Sequence, residues 1–142
     1  MFRFLLSLFR RARTSTAGGM AERLAADWLA RERRFEIVAR NWRSPRDRRD
    51  EIDLVCRDGD VLVFVEVKAR AAGALVPGYY AIDGRKRRVL RRAIRIYLAQ
   101  LHEKPRTFRL DVVEAILSER TGAEPELLHF ENVPLFRKHF RA

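Results

Sequence analysis

Two short stretches of this chain satisfy their apolar patterns best by pairing with each other. Residues 51–56 (Glu-Ile-Asp-Leu-Val-Cys) and 61–68 (Val-Leu-Val-Phe-Val-Glu-Val-Lys) both read as strands, and Asp58-Gly59-Asp60 between them has the composition of a tight turn. Side chains alternate faces along a strand, so Val61, Val63, Val65 and Val67 form one row and Ile52, Leu54 and Cys56 another. Both rows share one face of a hairpin only if odd positions of the second strand sit opposite even positions of the first. That register needs an even loop, supplied by Asp58-Gly59 or Gly59-Asp60 as a two-residue turn. It sends Glu51, Asp53 and Val55 to the other face with Leu62, Phe64, Glu66 and Lys68. The hydrophobic pattern therefore gathers Asp53, Glu66 and Lys68 at the end of the hairpin away from its turn. Such charges are costly at the end of an apolar sheet unless each is met, and a bound metal ion would meet them.

The chain has 142 residues, 47% hydrophobic and 35% charged, enough for one domain with its own core. Thirty Lys+Arg against 19 Asp+Glu leave a net charge of +11, which predicts a polyanionic partner or an anionic surface. Most of the cations are arginine, whose fork suits phosphate. The single Cys56 cannot form an internal disulfide, which fits a cytoplasmic protein, and its place in the core row predicts a buried structural thiol. The apolar run within residues 1–13 is far shorter than the ~20 residues that span a bilayer. It also lacks a secretory cleavage site. Three readings of it stand: a disordered or marginal helix, a basic amphipathic helix touching membrane or nucleic acid, or an extension from an early start codon. Membrane contact through residues 1–13 is not expected, and nothing in the catalytic reading uses them.

Residues 14–19 are small and polar, a natural linker. From Met20, Ala21, Leu24, Ala25, Trp28 and Leu29 recur at helical spacing. Residues 35–43 read as a strand, 44–50 as a charged exposed connection, and 71–78 as a loop after the hairpin. Asp83 is a candidate N-cap for a long helix whose stripe is Val89, Leu90, Ala93, Ile94, Tyr97 and Leu101. The other side of that helix carries Arg85, Lys86, Arg87, Arg88, Arg91, Arg92 and Arg95 with no acid among them. Self-repulsion there predicts a counterion, and phosphate is the natural one. Residues 108–115 alternate like a strand, and 127–133 predict a last short one. The expected division is a basic N-terminal segment over 1–17, a domain over 18–133 and a tail over 134–142. Three strands as an antiparallel meander, then a helical crossover to a further strand, predict an α/β fold: an αβββαβ core whose mixed sheet is flanked by helices.

That order, with Asp53 followed by Glu66-Val67-Lys68, resembles the restriction-endonuclease-like superfamily and its D…(D/E)xK motif. Gly18-Gly19-Met20-Ala21-Glu22, Arg40-Asn41-Trp42-Arg43, Glu51-Ile52-Asp53-Leu54-Val55, Phe64-Val65-Glu66-Val67-Lys68-Ala69-Arg70, Lys86 and Arg109-Leu110-Asp111-Val112-Val113 narrow the resemblance to the YraN-like family of uncharacterised bacterial proteins. The resemblance covers about residues 18 to 115. The family is similar to Holliday-junction resolvases, which implies a metal-dependent endonuclease core, usually a homodimer on branched DNA. Its members usually carry glycine where this chain has Asp50.

Phosphodiester hydrolysis needs a nucleophilic water, neutralised phosphate charge and help for the leaving oxygen, which Mg2+ or Mn2+ can supply. Asp53 and Glu66 are the expected ligands, and the resemblance adds the Val67 carbonyl. Lys68 can orient the water or meet developing charge. Glu22, one position beyond Ala21 in the helical stripe, could reach the site as an outer carboxylate. Ordinary alternatives stand beside these readings: a sheet-end ion pair for Asp53, Glu66 and Lys68, a solvated helix acid for Glu22, a strand-end acid for Glu51, and an Arg109 partner for Asp111. Candidate nucleic-acid contacts are Arg43, Arg70, Arg85, Lys86, Arg88 and Arg92, which touch backbone rather than base edges. His102, His129 and His139 share no metal-ligand spacing.

Overall fold

A computed structural model describes residues 17–73 and 82–136. The readings of residues 1–13 and of most of the loop after the hairpin lie outside them. Helix α1 (Ala17–Glu32) is followed by strands β1 (Glu36–Arg43), β2 (Glu51–Asp58) and β3 (Val61–Ala71), helix α2 (Gly84–Gln100), and strands β4 (Thr107–Leu117) and β5 (Glu126–Phe130). The five strands lie in the order β1-β2-β3-β4-β5; β3 and β4 are parallel and the other neighbours antiparallel. This is the expected α/β architecture, and the last short strand expected over 127–133 is β5, which ends at Phe130. Helix α1 starts earlier than its apolar stripe suggests, at Ala17, so the small residues 17–19 are helical. It ends at Glu32; just beyond, Arg34 takes a left-handed conformation (φ 57°), and the Phe35 amide donates back to the Leu29 carbonyl at 3.0 Å. Among the described residues no helix is long and apolar enough to cross a membrane.

The hairpin has the register that its apolar rows demand. Asp58 pairs with Val61 across Gly59-Asp60, and the ladder continues through Cys56↔Val63 to Leu54↔Val65. Gly59 takes φ 58°, as a turn of this kind requires. Leu54, Cys56, Val63 and Val65 pack beneath Ala25, Ala26 and Leu29 of α1. Val55, Leu62 and Phe64 pack on the opposite side with Leu90, Ala93, Ile94 and Tyr97 of α2. Each helix thus covers one face of the sheet. Cys56 is fully buried, and burial pushes its thiol up to about 12. Alternation breaks in β1, where the register shifts between Ile37 on the α1 side and Ala39 on the α2 side, and again at the start of β2. Ile52, expected in the row of Leu54 and Cys56, belongs to the α2 side. In the facing stretch of β1, Asn41 takes φ 49° between the pairs Arg40↔Leu54 and Trp42↔Ile52. Beyond it Trp42 meets the Tyr97 ring at 5.3 Å, and Ile52 joins that cluster.

Two polar devices close the far side of the sheet. Asp111 on β4 is fully buried and accepts four hydrogen bonds: two from the Arg109 guanidinium (2.9 and 3.1 Å), one shared with His129 Nε2 (2.9 Å) and one from the Asn132 amide (2.9 Å). Burial works against its charge, but the bonds from His129, Arg109 and Asn132 outweigh it and hold the carboxyl below its ordinary value. The Arg109 pairing is the expected one; the His129 contact, with the ring set edge-on to Trp28 and Phe35, was outside the sequence reading. The second device is a strap. Val133 and Leu135 are buried, and the Val133 amide donates to the Leu110 carbonyl at 2.7 Å. Residues 134–136, assigned from sequence to the tail, are therefore part of the packed domain.

Asp111→Ala should destabilise the protein by about 1–3 kcal/mol in urea unfolding, because it takes the acceptor from the Asn132 amide and His129 and leaves the part-buried Arg109 with Asp58 alone. Since the folded-state pKa is depressed, the contribution of Asp111 is present above the ordinary value of 3.8 and is lost as pH falls through the lowered one. The gap between wild type and variant should close in that acid range and stay constant above it. A variant as stable as wild type at neutral pH would show the network to be ornamental.

Candidate metal and phosphate site

The β2–β3 ladder ends at Leu54↔Val65, one step before the acids meet. There the Asp53 carboxylate takes over the role of a main-chain acceptor: Oδ2 receives the Val67 amide at 2.8 Å. This holds Asp53, 8% exposed, against the β3 backbone beside Glu66, 2% exposed. Glu66 Oε1 is 3.2 Å from Lys68 Nζ, two residues along the same face of β3. It is also 3.2 Å from Lys86 Nζ, which reaches in from the first turn of α2. Asp83 fixes that turn as the expected N-cap, its Oδ1 accepting the Lys86 amide at 2.8 Å. The second oxygen, Glu66 Oε2, is buried and has no hydrogen-bond partner. A buried carboxylate oxygen left bare is unfavourable, and it marks the place where a cation would find a ligand.

The electrostatics agree with that geometry. Burial first, and then the Glu66 charge, raise the Asp53 pKa well above its ordinary value, against the pull of the Val67 amide and Lys86. Burial also raises Glu22, with Glu51 and Glu66 adding to it and a hydrogen bond from Asn41 opposing it. Glu22 thus lies on α1 within reach of the charges of Glu51 and Glu66. Lys86 shows the reverse balance: burial disfavours its charge, but Glu66 and Asp53 hold its pKa above the usual value. Among the described residues no three His, Cys, Asp or Glu side chains converge closely enough to hold a metal by themselves.

Of the predicted phosphate contacts, several already have protein partners. Lys86 belongs to the acid cluster. Arg92 grips Asp50 through Nε and Nη2 at 2.8 and 2.6 Å, Arg43 pairs with Glu51 at 3.1 Å, and Arg70 lies 3.9 Å from Glu114. Arg85 and Arg88 stay exposed. On a neighbouring stripe of α2, Arg87 donates to the Pro134 carbonyl (2.9 Å), Arg91 to that of Leu135 (3.4 Å), and Arg95 lies over the Phe136 ring. Much of the crowding that predicted an external counterion is met by the chain's own carbonyls and carboxylates. Glu114 was missed altogether. It is fully buried on β4, level with Lys68, and neither of its oxygens has a hydrogen-bond partner. Its charge within the apolar run 112–117 was the available signal. A cleft of about 270 Å³ lined by Arg57, Asp60, Tyr97, Lys104 and Arg106 lies at the turn end of the hairpin, away from these acids.

The model of the Uncharacterised protein family UPF0102 matches residues 21–115, a span holding Glu22, Asp53, Glu66, Lys68 and Lys86. A UPF0102 protein of Beutenbergia cavernae is 44% identical over 106 residues, covering 75% of this chain and 86% of its own length. Relatives with the same description from Geobacter metallireducens (36% over 115 residues; 81% and 88% covered) and Pelotomaculum thermopropionicum (40% over 115 residues; 81% and 92%) match to a similar extent.

Because the folded-state pKa of Asp53 is raised, the fold favours its protonated form. That preference supports stability below the ordinary value of 3.8 and is lost as pH rises through the folded value. In chelator, Asp53→Asn should therefore melt higher than wild type at about pH 8, by roughly 2–4 °C for each kcal/mol relieved, with a smaller gap at about pH 5. An asparagine variant that melts lower than wild type at both values would remove the case for a destabilising, cation-seeking acid pair.

Proposed function

We propose, from the premise that the chain belongs to the uncharacterised protein family UPF0102, that it is a cytoplasmic protein that binds nucleic acid and hydrolyses phosphodiesters in structured or branched DNA with a divalent cation. One observation carries this reading: a buried, unpartnered Glu66 oxygen beside a second buried carboxylate that is itself pushed toward its neutral form. Asp53, Glu66 and the Val67 carbonyl would hold Mg2+ or Mn2+. The bound ion would supply charge neutralisation at the phosphate and an acidified water. Lys68, anchored on Glu66 Oε1, is suited to orient that water and to meet negative charge as it develops. Lys86 brings a second, partly exposed ammonium to the same oxygen and is suited to draw in the phosphate. Arg85 and Arg88 extend positive charge outward from it along α2.

A second reading has its own support. Two lysines already stand against Glu66 Oε1, so the site has partial charge balance as a plain ion cluster, and a nucleic-acid-binding module with little or no activity would also use the basic surface. The two separate in a cleavage assay on four-way junction, flap, single-stranded and duplex DNA with Mg2+ or Mn2+, run beside Glu66→Ala. The nuclease reading expects cleavage of at least one substrate, reduced roughly 100-fold or more in the variant, with DNA binding in chelator retained. Binding without cleavage in either metal selects the inactive module. Cleavage that survives in Glu66→Ala points to a contaminant.

A further inference from the structure

Residues 44–50 join β1 to β2 at the same sheet end as Asp53 and Glu66, and they form a closed loop. The Ser44 amide donates to the Asp50 carbonyl at 2.9 Å across its neck, where both residues are 1% exposed. Inside, the Asp50 amide donates to the Asp47 carbonyl (2.9 Å) and the Arg46 amide to Ser44 Oγ (3.1 Å). Arg43 and Glu51 pair across the strands just below the neck. The loop lifts Arg46, Arg48 and Arg49 into solvent. Arg49 turns back onto Asp47, but among the described residues Arg46 and Arg48 make no ion pair. The Asp50 side chain is only 2% exposed, yet the Arg92 that grips it with both prongs is 55% exposed. A carboxylate buried at a loop neck by a surface guanidinium fastens the loop to α2. Arg92 shares a helical stripe with Arg88 and Arg85, so about 10 Å of α2 leads from the turn of Lys86 to the loop.

We propose that residues 44–50 are a phosphate-binding loop pinned by Asp50 and Arg92, and that a nucleic-acid strand leaving the Glu66 site passes Arg85 and Arg88 to reach Arg46 and Arg48. The inference rests on the nucleic-acid reading above and changes one part of the sequence expectation: Arg92 holds the loop, and the phosphate contacts are its neighbours. It also reverses a sign. Removing the Asp50 charge makes a basic protein more basic, so simple attraction would tighten its grip on a polyanion. If the pin matters more, the same change weakens binding, because Arg46 and Arg48 must then be ordered at the moment of contact.

The test is fluorescence anisotropy of a labelled four-way DNA junction in chelator across a salt series, with the full-length protein. Asp50→Asn is expected to weaken binding about 2- to 10-fold despite the added positive charge. Arg92→Gln should weaken it similarly, with the double variant no worse than either single one. The exposed Arg46→Gln and Arg48→Gln, which carry no folding risk comparable to Asp50, should each lower the salt slope by about one. Hydrogen exchange at the amides of Arg46, Arg49 and Asp50 should quicken in Asp50→Asn. Tighter or unchanged binding by a folded Asp50→Asn overturns the inference and makes Arg92 a masked phosphate contact. Unchanged salt slopes in Arg46→Gln and Arg48→Gln overturn it as well, whatever happens at Asp50. A wild-type protein that binds no DNA removes the nucleic-acid reading itself, a different result from binding that ignores the loop.

Discussion

The two-residue turn at Gly59-Asp60 governs this molecule. Once Asp58 faces Val61, every later pair is fixed, and the register runs straight to Leu54 opposite Val65. The next step would set Asp53 beside Glu66. A slip of one residue would exchange the faces of the whole hairpin, turning the valine row away from α1 and the acids away from α2. The cores on the two faces therefore enforce the meeting of two carboxylates that repel each other. Neither acid could lower its own energy by moving without uncovering Leu54, Val65 or Phe64.

At that meeting point the backbone gives up its regular pattern. Asp53 uses a side-chain oxygen where a strand would use a carbonyl, and in doing so it ties itself to the residue between Glu66 and Lys68. Lys86 arrives from a helix on the other side of a crossover, placed by the Asp83 cap rather than by the sheet. The cluster thus draws on β2, β3 and the start of α2, with α1 at its border through Glu22. Its charges are held by elements whose positions are set by apolar packing, so a change in protonation or ligation can be absorbed without rearranging the fold.

Local pattern made the strands, the turn, the Asp83 cap and the burial of Cys56 legible, because period-2 and period-3.6 alternation reports directly on which side a residue faces. It also brought out the Asp53–Glu66–Lys68 grouping, since that follows from register alone. It could not show Ile52 joining the α2 side, nor the left-handed Asn41 in the strand that faces it. Nor could it apportion the arginines of α2. Seven cations on one helix look alike in sequence, but three-dimensional neighbours sort them into a site lysine, a loop fastener, a stripe that donates to carbonyls and lies over Phe136, and the exposed pair Arg85 and Arg88. The partners lie some 40 residues away in the chain, at Asp50, Pro134 and Leu135. Glu114 and His129 escaped for the same reason: a polar residue set among apolar neighbours in a strand does not show by its spacing which partner it meets.

The arginine stripe Arg87, Arg91 and Arg95 has a consequence for where the domain can be cut. Arg87 and Arg91 donate to the Pro134 and Leu135 carbonyls, and Arg95 lies over the Phe136 ring. A truncation before Val133 would take both carbonyl acceptors from α2, the amide that meets the Leu110 carbonyl, and the buried Val133 and Leu135 side chains. A boundary drawn at the last strand would therefore leave the domain short of part of its own core.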